Sequence, residues 1–301
     1  PVADWISSIP WDGVDRLHQF RSTLVTDAEY PQAFKDVLLD KWMTSAVAAA
    51  FTEDFRSRGV LTLAGPQGIG KTSWVNALVS SSTLRKQVVL TGHSLDANSR
   101  DSKSTAITKW ITELGEVETT LKNDLPAVKA FITNDMDVFR RPYAHEDSTM
   151  ARRTVFCASV NDKWYLKDPT GNSRFWSINV VKINFDHGLD MQQVFTQYKA
   201  EYFDKGQTWW LDAEQEAQLT ELNKEFEPVS PVKEALALLL QRGKKCGYDT
   251  SFMTATQLIK AIGIRATTKE VHVAMKDLQG PPRKTKGNLG WDVQVVIDMD
   301  L

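Results

Sequence analysis

The chain has 301 residues, of which 42% are apolar and 25% charged, and its net charge is −2. This apolar fraction excludes a chain that is disordered throughout, and the length suits two domains or one large domain with appendages. No apolar run approaches the roughly 18 residues of a membrane span, and Cys157 and Cys246 lack the spacing of a disulfide framework or a zinc site.

The predicted elements begin with a helical segment and continue as an α/β layer. Apolar side chains follow helical spacing within residues 1–58, so we expect a helical N-terminal segment there. Over residues 59–228, strand-like segments alternate with helical or loop stretches, which predicts an α/β fold with a mostly parallel sheet flanked by helices. The predicted strands are Val60–Ala64, Gln87–Leu90, Trp110–Leu114, Arg153–Val160 and Phe175–Ile183, and helical patterns follow at Met191–Phe203 and Asp212–Phe226.

A second, smaller module is predicted at the C-terminal end. Two prolines within Glu227–Pro231 indicate a linker. Residues 231–301 then show three helical patterns, a basic turn at Gly280–Gly290 and a strand at Trp291–Ile297, an order typical of a winged-helix-like module. This module has eleven basic and seven acidic side chains, a net charge of +4, which favours an anionic partner such as DNA. A solvated face, or a protein-docking role, is the alternative.

The strongest motif lies between a strand-like segment and a helical pattern. Gly65–Thr72 matches G-x-x-x-x-G-K-[ST] in that setting. Its glycines let backbone amides point at phosphate oxygens, Lys71 supplies a charge for the β- and γ-phosphates, and the Thr72 hydroxyl is a Mg²⁺ ligand. The sequence therefore predicts a site for ATP and Mg²⁺. The predicted binding residues are Gly65, Pro66, Gln67, Gly68, Ile69, Gly70, Lys71, Thr72 and Ser73.

Nucleotide hydrolysis also needs a carboxylate at the end of a neighbouring strand. The segment Lys109–Glu116 places two carboxylates at the end of an apolar strand. Glu113 and Glu116 are three residues apart, so they face opposite sides of a regular strand. We expect Glu116, after Gly115, to be the catalytic carboxylate and Glu113 to serve the metal and its water. An ordinary solvated strand end is the alternative interpretation.

Together with these motifs, further segments resemble the virulence-associated protein E family of phages and mobile elements. Those P-loop ATPases are similar to superfamily 3 (AAA+-like) replicative helicases. The resemblance covers about residues 5–180 in the family's order. The segments that carry it, besides the P-loop, are Trp11–Leu17, Trp110–Glu116, Val128–Thr133, Asp137–Tyr143 and Asp168–Trp176.

The resemblance implies roles for two residues that spacing alone leaves unassigned. Asn161, at the end of a predicted strand, is similar to a sensor residue that orients water against the γ-phosphate; ordinary turn chemistry is the alternative. Arg174 resembles the arginine finger that completes a neighbouring subunit's site. The family commonly has a second arginine where this chain has Ser173, so Arg174 is the single candidate in that pair. An arginine finger in trans requires a closed ring, and the resemblance implies a hexamer.

The resemblance also implies contact with single-stranded or forked DNA. Lys129 is similar to a lysine that superfamily 3 enzymes carry before the sensor strand, and the segment that follows faces the central channel in related rings. Arg140 and Arg141 are candidates for the phosphate backbone, and Tyr143 for stacking on a base. The alternative is a solvated loop whose arginines pair with nearby carboxylates.

The function expected from these features is an ATP-dependent DNA helicase or translocase in phage or mobile-element replication. It would act in the cytoplasm of a bacterial or phage-infected cell. Because the chain begins with Pro1 and many relatives carry a primase-like domain upstream, a primase domain N-terminal to this fragment is an expected partner. The alternatives are an ATP-binding origin or assembly factor without unwinding activity and, less favoured, a small-molecule P-loop phosphotransferase.

Overall fold

The computed structural model describes residues 1–115, 126–134, 136–139, 148–161, 163–166, 172–228, 230–246 and 249–294. The chain divides into two compact units, Pro1–Glu227 and Pro228–Leu301. Within the described ranges, none of the helices combines the length and apolarity that crossing a bilayer requires.

The first unit is built on a six-stranded sheet. Its strand order is β1-β8-β2-β7-β4-β3, and every neighbouring pair is parallel except β1 with β8. A separate antiparallel pair joins β5 to β6. The strands are β1 (Leu24–Thr26), β2 (Val60–Ala64), β3 (Val89–His93), β4 (Ile111–Leu114), β5 (Met136–Phe139), β6 (Ser148–Ala151), β7 (Val155–Val160) and β8 (Phe175–Ile183).

Helices cover both faces of this sheet, which explains why its central strands are almost entirely buried. All five residues of β2 are buried, and Val60 and Leu61 belong to two different apolar clusters on opposite faces. The helices of this unit are α1 (Val2–Ser7), α2 (Leu17–Arg21), α3 (Gln32–Phe51), α4 (Lys71–Ala77), α5 (Ser82–Val88), α6 (Arg100–Ala106), α7 (126–132), α8 (Met191–Tyr198) and α9 (Ala213–Asn223).

The mostly parallel sheet predicted from the sequence is confirmed. Two local differences have physical causes. The segment Leu24–Thr26, expected to be helical, is a strand because it pairs antiparallel with the exposed edge of β8. The predicted strand Gln87–Leu90 begins only at Val89, because helix α5, capped by Ser81, continues through Val88.

The N-terminal helices share the core of the sheet. Trp42 of α3 is fully buried, and its indole N–H donates to the carbonyl oxygen of Phe156 in β7 at 2.7 Å. Trp74 of α4 donates in the same way to the hydroxyl of Thr23, at 2.9 Å. These bonds satisfy the polar atom of each large buried ring, so that the rings add apolar contacts without an unpaired donor.

The second unit consists of three helices and a three-stranded antiparallel sheet in the order β10-β11-β9. Thr254 and Thr267 each begin a helix through a capping box, and Gly263 ends the first of these helices in the left-handed conformation. The elements are α10 (Pro231–Cys246), β9 (Thr250–Thr254), α11 (Ala255–Ile262), α12 (Thr268–Gln279), β10 (Arg283–Thr285) and β11 (Asn288–Gln294).

Candidate functional site

The loop between β2 and α4 is held in a conformation that requires glycine. Gly68 and Gly70 have φ angles of +83° and +96°, in the left-handed region. A Cβ atom on Gly65 would overlap the carbonyl oxygen of Val180 in the adjacent β8, and one on Gly70 would overlap the ring of Phe185. The loop therefore curls tightly at the carboxyl end of β2.

Lys71, the first residue of α4, is only 6% exposed and points back into this loop. Its ammonium group donates to the carbonyl oxygens of Gly65 at 2.7 Å and Pro66 at 2.8 Å. It also donates to Oδ1 of Asn161 at 2.9 Å. The sequence-predicted lysine and sensor asparagine thus lie in direct contact.

Glu113 contacts Thr72, the residue that follows Lys71 in α4. The Thr72 hydroxyl donates to Oε1 of Glu113 at 2.7 Å, and the backbone N–H of Gly92 donates to Oε2 at 3.2 Å. A short hydrogen bond from the Ser159 hydroxyl also reaches Oε1. The carboxyl group is 1% exposed, so these three donors replace the water that it would otherwise bind.

These four side chains meet because the carboxyl ends of parallel strands share one edge of the sheet. Ala64 of β2 is opposite Val160 of β7, and Glu113 of β4 is opposite Cys157 of β7. The structure therefore brings together Lys71, Thr72, Glu113 and Asn161 at this edge. A cation, a hydroxyl, a carboxylate and an amide provide the donor and acceptor types that a metal-bound triphosphate requires.

Sequence reasoning missed Ser159. The signal was a polar residue inside the otherwise apolar strand, two positions before Asn161, which puts both on the same face. Cys157, a further two positions back, is fully enclosed. Burial raises the pKa of its thiol, and the charge of Glu113 raises it further, so the thiol stays protonated and is a packing group.

Arg174 lies at the opposite edge of the sheet. It immediately precedes β8, whose first residue, Phe175, is opposite Val60, the first residue of β2. The loop with Lys71 follows the other end of β2, about 13 Å away along a five-residue strand. Arg174 thus cannot reach the glycine-rich loop of its own chain.

A pocket of about 260 Å³ opens at this amino edge and includes Arg174. The Nε atom of Arg174 is buried there without a hydrogen-bond partner among the described residues. Two tryptophans and a second arginine form part of the wall, with the Arg58 guanidinium 5.9 Å from the ring centroid of Trp210. The lining residues are Arg58, Thr133, Ser173, Arg174, Trp176, Trp210, Leu211 and Glu216.

Four of the remaining predicted site residues fall outside the part of the chain that the structure describes, and the fifth lies elsewhere in the first unit. Glu116, Arg140, Arg141 and Tyr143 lie outside the described residues. Lys129 lies half-buried on α7, a helix whose Val128 and Ile132 pack against the face of the sheet away from α4.

The fold and this edge define an α/β protein with a glycine-rich loop, a lysine, a threonine and a buried glutamate gathered at the carboxyl end of a parallel sheet. Residues 6–228 match the model of the virulence-associated protein E-like domain, so the chain belongs to that family. No curated protein matches the chain.

Two solved structures of one protein match the chain. An A-form apo structure of the NrS-1 C-terminal region (305–718) has a TM-score of 0.50 at 15% identity, over 97% of this chain and 78% of that chain. A further apo structure of the same region has a TM-score of 0.46 at 14% identity, with the same coverage.

Proposed function

We propose that the chain is an ATP-dependent DNA helicase or translocase that acts as a hexameric ring in phage or mobile-element replication. The observation that supports this most is the contact of the Thr72 hydroxyl with the Glu113 carboxylate, beside the Lys71–Asn161 pair. A hydroxyl and a carboxylate at the mouth of a glycine loop fit Mg²⁺, which prefers oxygen ligands and would neutralise phosphate charge there.

Each side chain then has a defined task toward bound ATP. Lys71 exchanges its two carbonyl contacts for oxygens of the β- and γ-phosphates, since a phosphate is a stronger acceptor for an ammonium group. Thr72 and Glu113 hold the metal and its water. Asn161, already in contact with Lys71, presents its amide to the γ-phosphate and the attacking water.

The position of Arg174 supports a ring. Because it lies at the edge opposite its own phosphate loop, it serves a nucleotide only if that nucleotide belongs to a neighbouring subunit. A head-to-tail ring places the amino edge of one sheet against the carboxyl edge of the next. The half-buried side chain of Arg174 then points its guanidinium group toward the γ-phosphate of that neighbour.

In the same proposal, DNA passes through the channel of the ring. Lys129, Arg140, Arg141 and Tyr143 remain the predicted contacts to a single or forked strand. A primase domain joined N-terminally would supply primers to the same replication fork.

Lys71→Ala is expected to abolish DNA-stimulated ATP hydrolysis and to weaken ATP binding at least tenfold, because it removes the only cation of the loop. Lys86→Ala, on the exposed side of α5, is the matched control and should retain full turnover. Steady-state hydrolysis and fluorescent-nucleotide titration of both variants check this. Intact hydrolysis by Lys71→Ala would contradict the assigned site.

A further inference from the structure

The second unit lies outside the matched family domain, and its topology provides a separate candidate surface. Two helices, α11 and α12, are joined by a short turn and followed by the β10–β11 hairpin. One face of α12 is fixed in the core through Val271, Ala274 and Met275. A helix anchored on one side, with a hairpin beside it, presents its other side as a rigid surface.

The solvent-facing side of α12 carries an ordered stripe. Lys269, Val273 and Lys276 follow the i, i+4, i+7 spacing of one helix face, and all three are exposed. Val273 is 50% exposed at the centre of the stripe. The stripe thus places one cation on each side of an apolar contact.

The hairpin extends this surface. Trp291 and Val293 of β11 point into the core against α12, so Leu289, two positions earlier, lies on the same side of the sheet. Lys284 is opposite Leu289 in the β10–β11 register, which puts it on that side as well. Leu289 is 51% exposed, so the outer end of the hairpin projects beyond the core.

The carboxylates near this surface are already engaged. Asp277 pairs with Lys233 at 2.9 Å, and Glu270 accepts hydrogen bonds from Thr267 in its capping box. Asp292 pairs with Arg283, on the opposite side of the hairpin.

The basic side chains on the α12 side differ from these carboxylates in their ion pairing. No ion pair involves them within the described part of the chain, whereas Asp277 and Asp292 are ion-paired, so unpaired basic side chains outnumber the one unpaired carboxylate, Glu270. They are Arg265, Lys269, Lys276, Lys284 and Lys286.

We propose that this unit binds duplex DNA, with α12 in the major groove and the hairpin along the flanking backbone. A major groove about 12 Å wide admits a helix, and lysines at both ends of one face meet the phosphates on its two sides. Val273 then contacts base edges or thymine methyl groups. Lys284 and Lys286 follow the adjacent backbone, as the wing of a winged helix does.

The test is fluorescence anisotropy of the full chain with a labelled mixed-sequence duplex, without nucleotide, across a salt series. The double variant Lys276→Glu/Lys284→Glu should weaken duplex binding about tenfold or more at moderate salt, and flatten the salt dependence by about two ion equivalents. The matched control, Lys86→Glu/Lys205→Glu, makes the same charge change on exposed sites of the first unit and should bind as wild type.

Basal ATP hydrolysis of the same proteins separates this proposal from the nucleotide site. It should be equal in all three proteins, whether or not the ATPase proposal is correct. Two results would overturn duplex binding: equal affinity of the double variant and the wild type, or no duplex binding by the wild type at physiological salt. A changed mass of the double variant in light scattering, with DNA affinity unaltered, would identify the surface as a subunit contact instead.

Discussion

Replacing Glu113 by glutamine is expected to reduce ATP turnover about 100-fold or more while leaving nucleotide affinity within a few-fold of wild type. The amide keeps the volume and an oxygen for the Thr72 and Ser159 hydroxyls, although its NH2 group gives up the hydrogen bond that Oε2 accepts from the Gly92 N–H. It loses the negative charge that serves the metal and its water. The substitution is therefore expected to slow the chemical step and to leave nucleotide binding nearly unchanged.

A companion series at Thr72 tests the hydroxyl that contacts Glu113. Thr72→Ser retains the oxygen that contacts Glu113 and should keep most activity, whereas Thr72→Val, which is similar in shape, should lose it. Single-turnover hydrolysis with saturating ATP, together with thermal melting, checks both series. Full turnover by Glu113→Gln would exclude it from the catalytic machinery.

Arg174→Ala is expected to abolish turnover, yet an equimolar mixture with Lys71→Ala should recover activity. Each variant alone lacks one half of every composite site. In a mixed ring, an Arg174→Ala subunit contributes its intact phosphate loop and a Lys71→Ala neighbour contributes its intact arginine. Random assembly makes about a quarter of the interfaces complete, so turnover should approach that fraction of wild type.

The matched control for this experiment is Arg153→Ala. Arg153 likewise lies near the amino edge of the sheet, where it is exposed and donates to the carbonyl oxygen of Ala50 at 3.3 Å. The Arg153→Ala variant should retain turnover. Its mixture with Lys71→Ala should show only the turnover of the Arg153→Ala subunits, with no activity recovered by mixing. A mixture of Arg174→Ala and Lys71→Ala that stays inactive, although both proteins assemble, would contradict action in trans.

Part of the candidate site was predictable from local sequence. Lys71 and Thr72 follow from the spacing of the loop, and Glu113 from its place at the end of an apolar strand, whereas the role of Asn161 was implied only by the family resemblance. Glu113 was predicted to serve the metal and its water; the structure brings its carboxylate into contact with the Thr72 hydroxyl, and the metal role stays a prediction. The assignment of Glu116 as the catalytic carboxylate stays a prediction, since Glu116 lies outside the described residues.

Other features depend on strand order, which no local pattern encodes. Arg174 lies at the edge opposite its own loop because β8 pairs in parallel with β2. Ser159 reaches Glu113 because β7 lies between β2 and β4. The strand Leu24–Thr26 is too short to show alternation and forms because β8 offers it an edge. Long-range pairing, not propensity, decides these positions.

The most direct test of the account is ATP hydrolysis with and without single-stranded DNA, with the mass of the same samples followed by light scattering. We expect hydrolysis that DNA stimulates strongly, in particles with the mass of six chains. Turnover that is indifferent to DNA, in particles with the mass of one chain, would contradict a DNA-driven ring and would favour a small-molecule phosphotransferase.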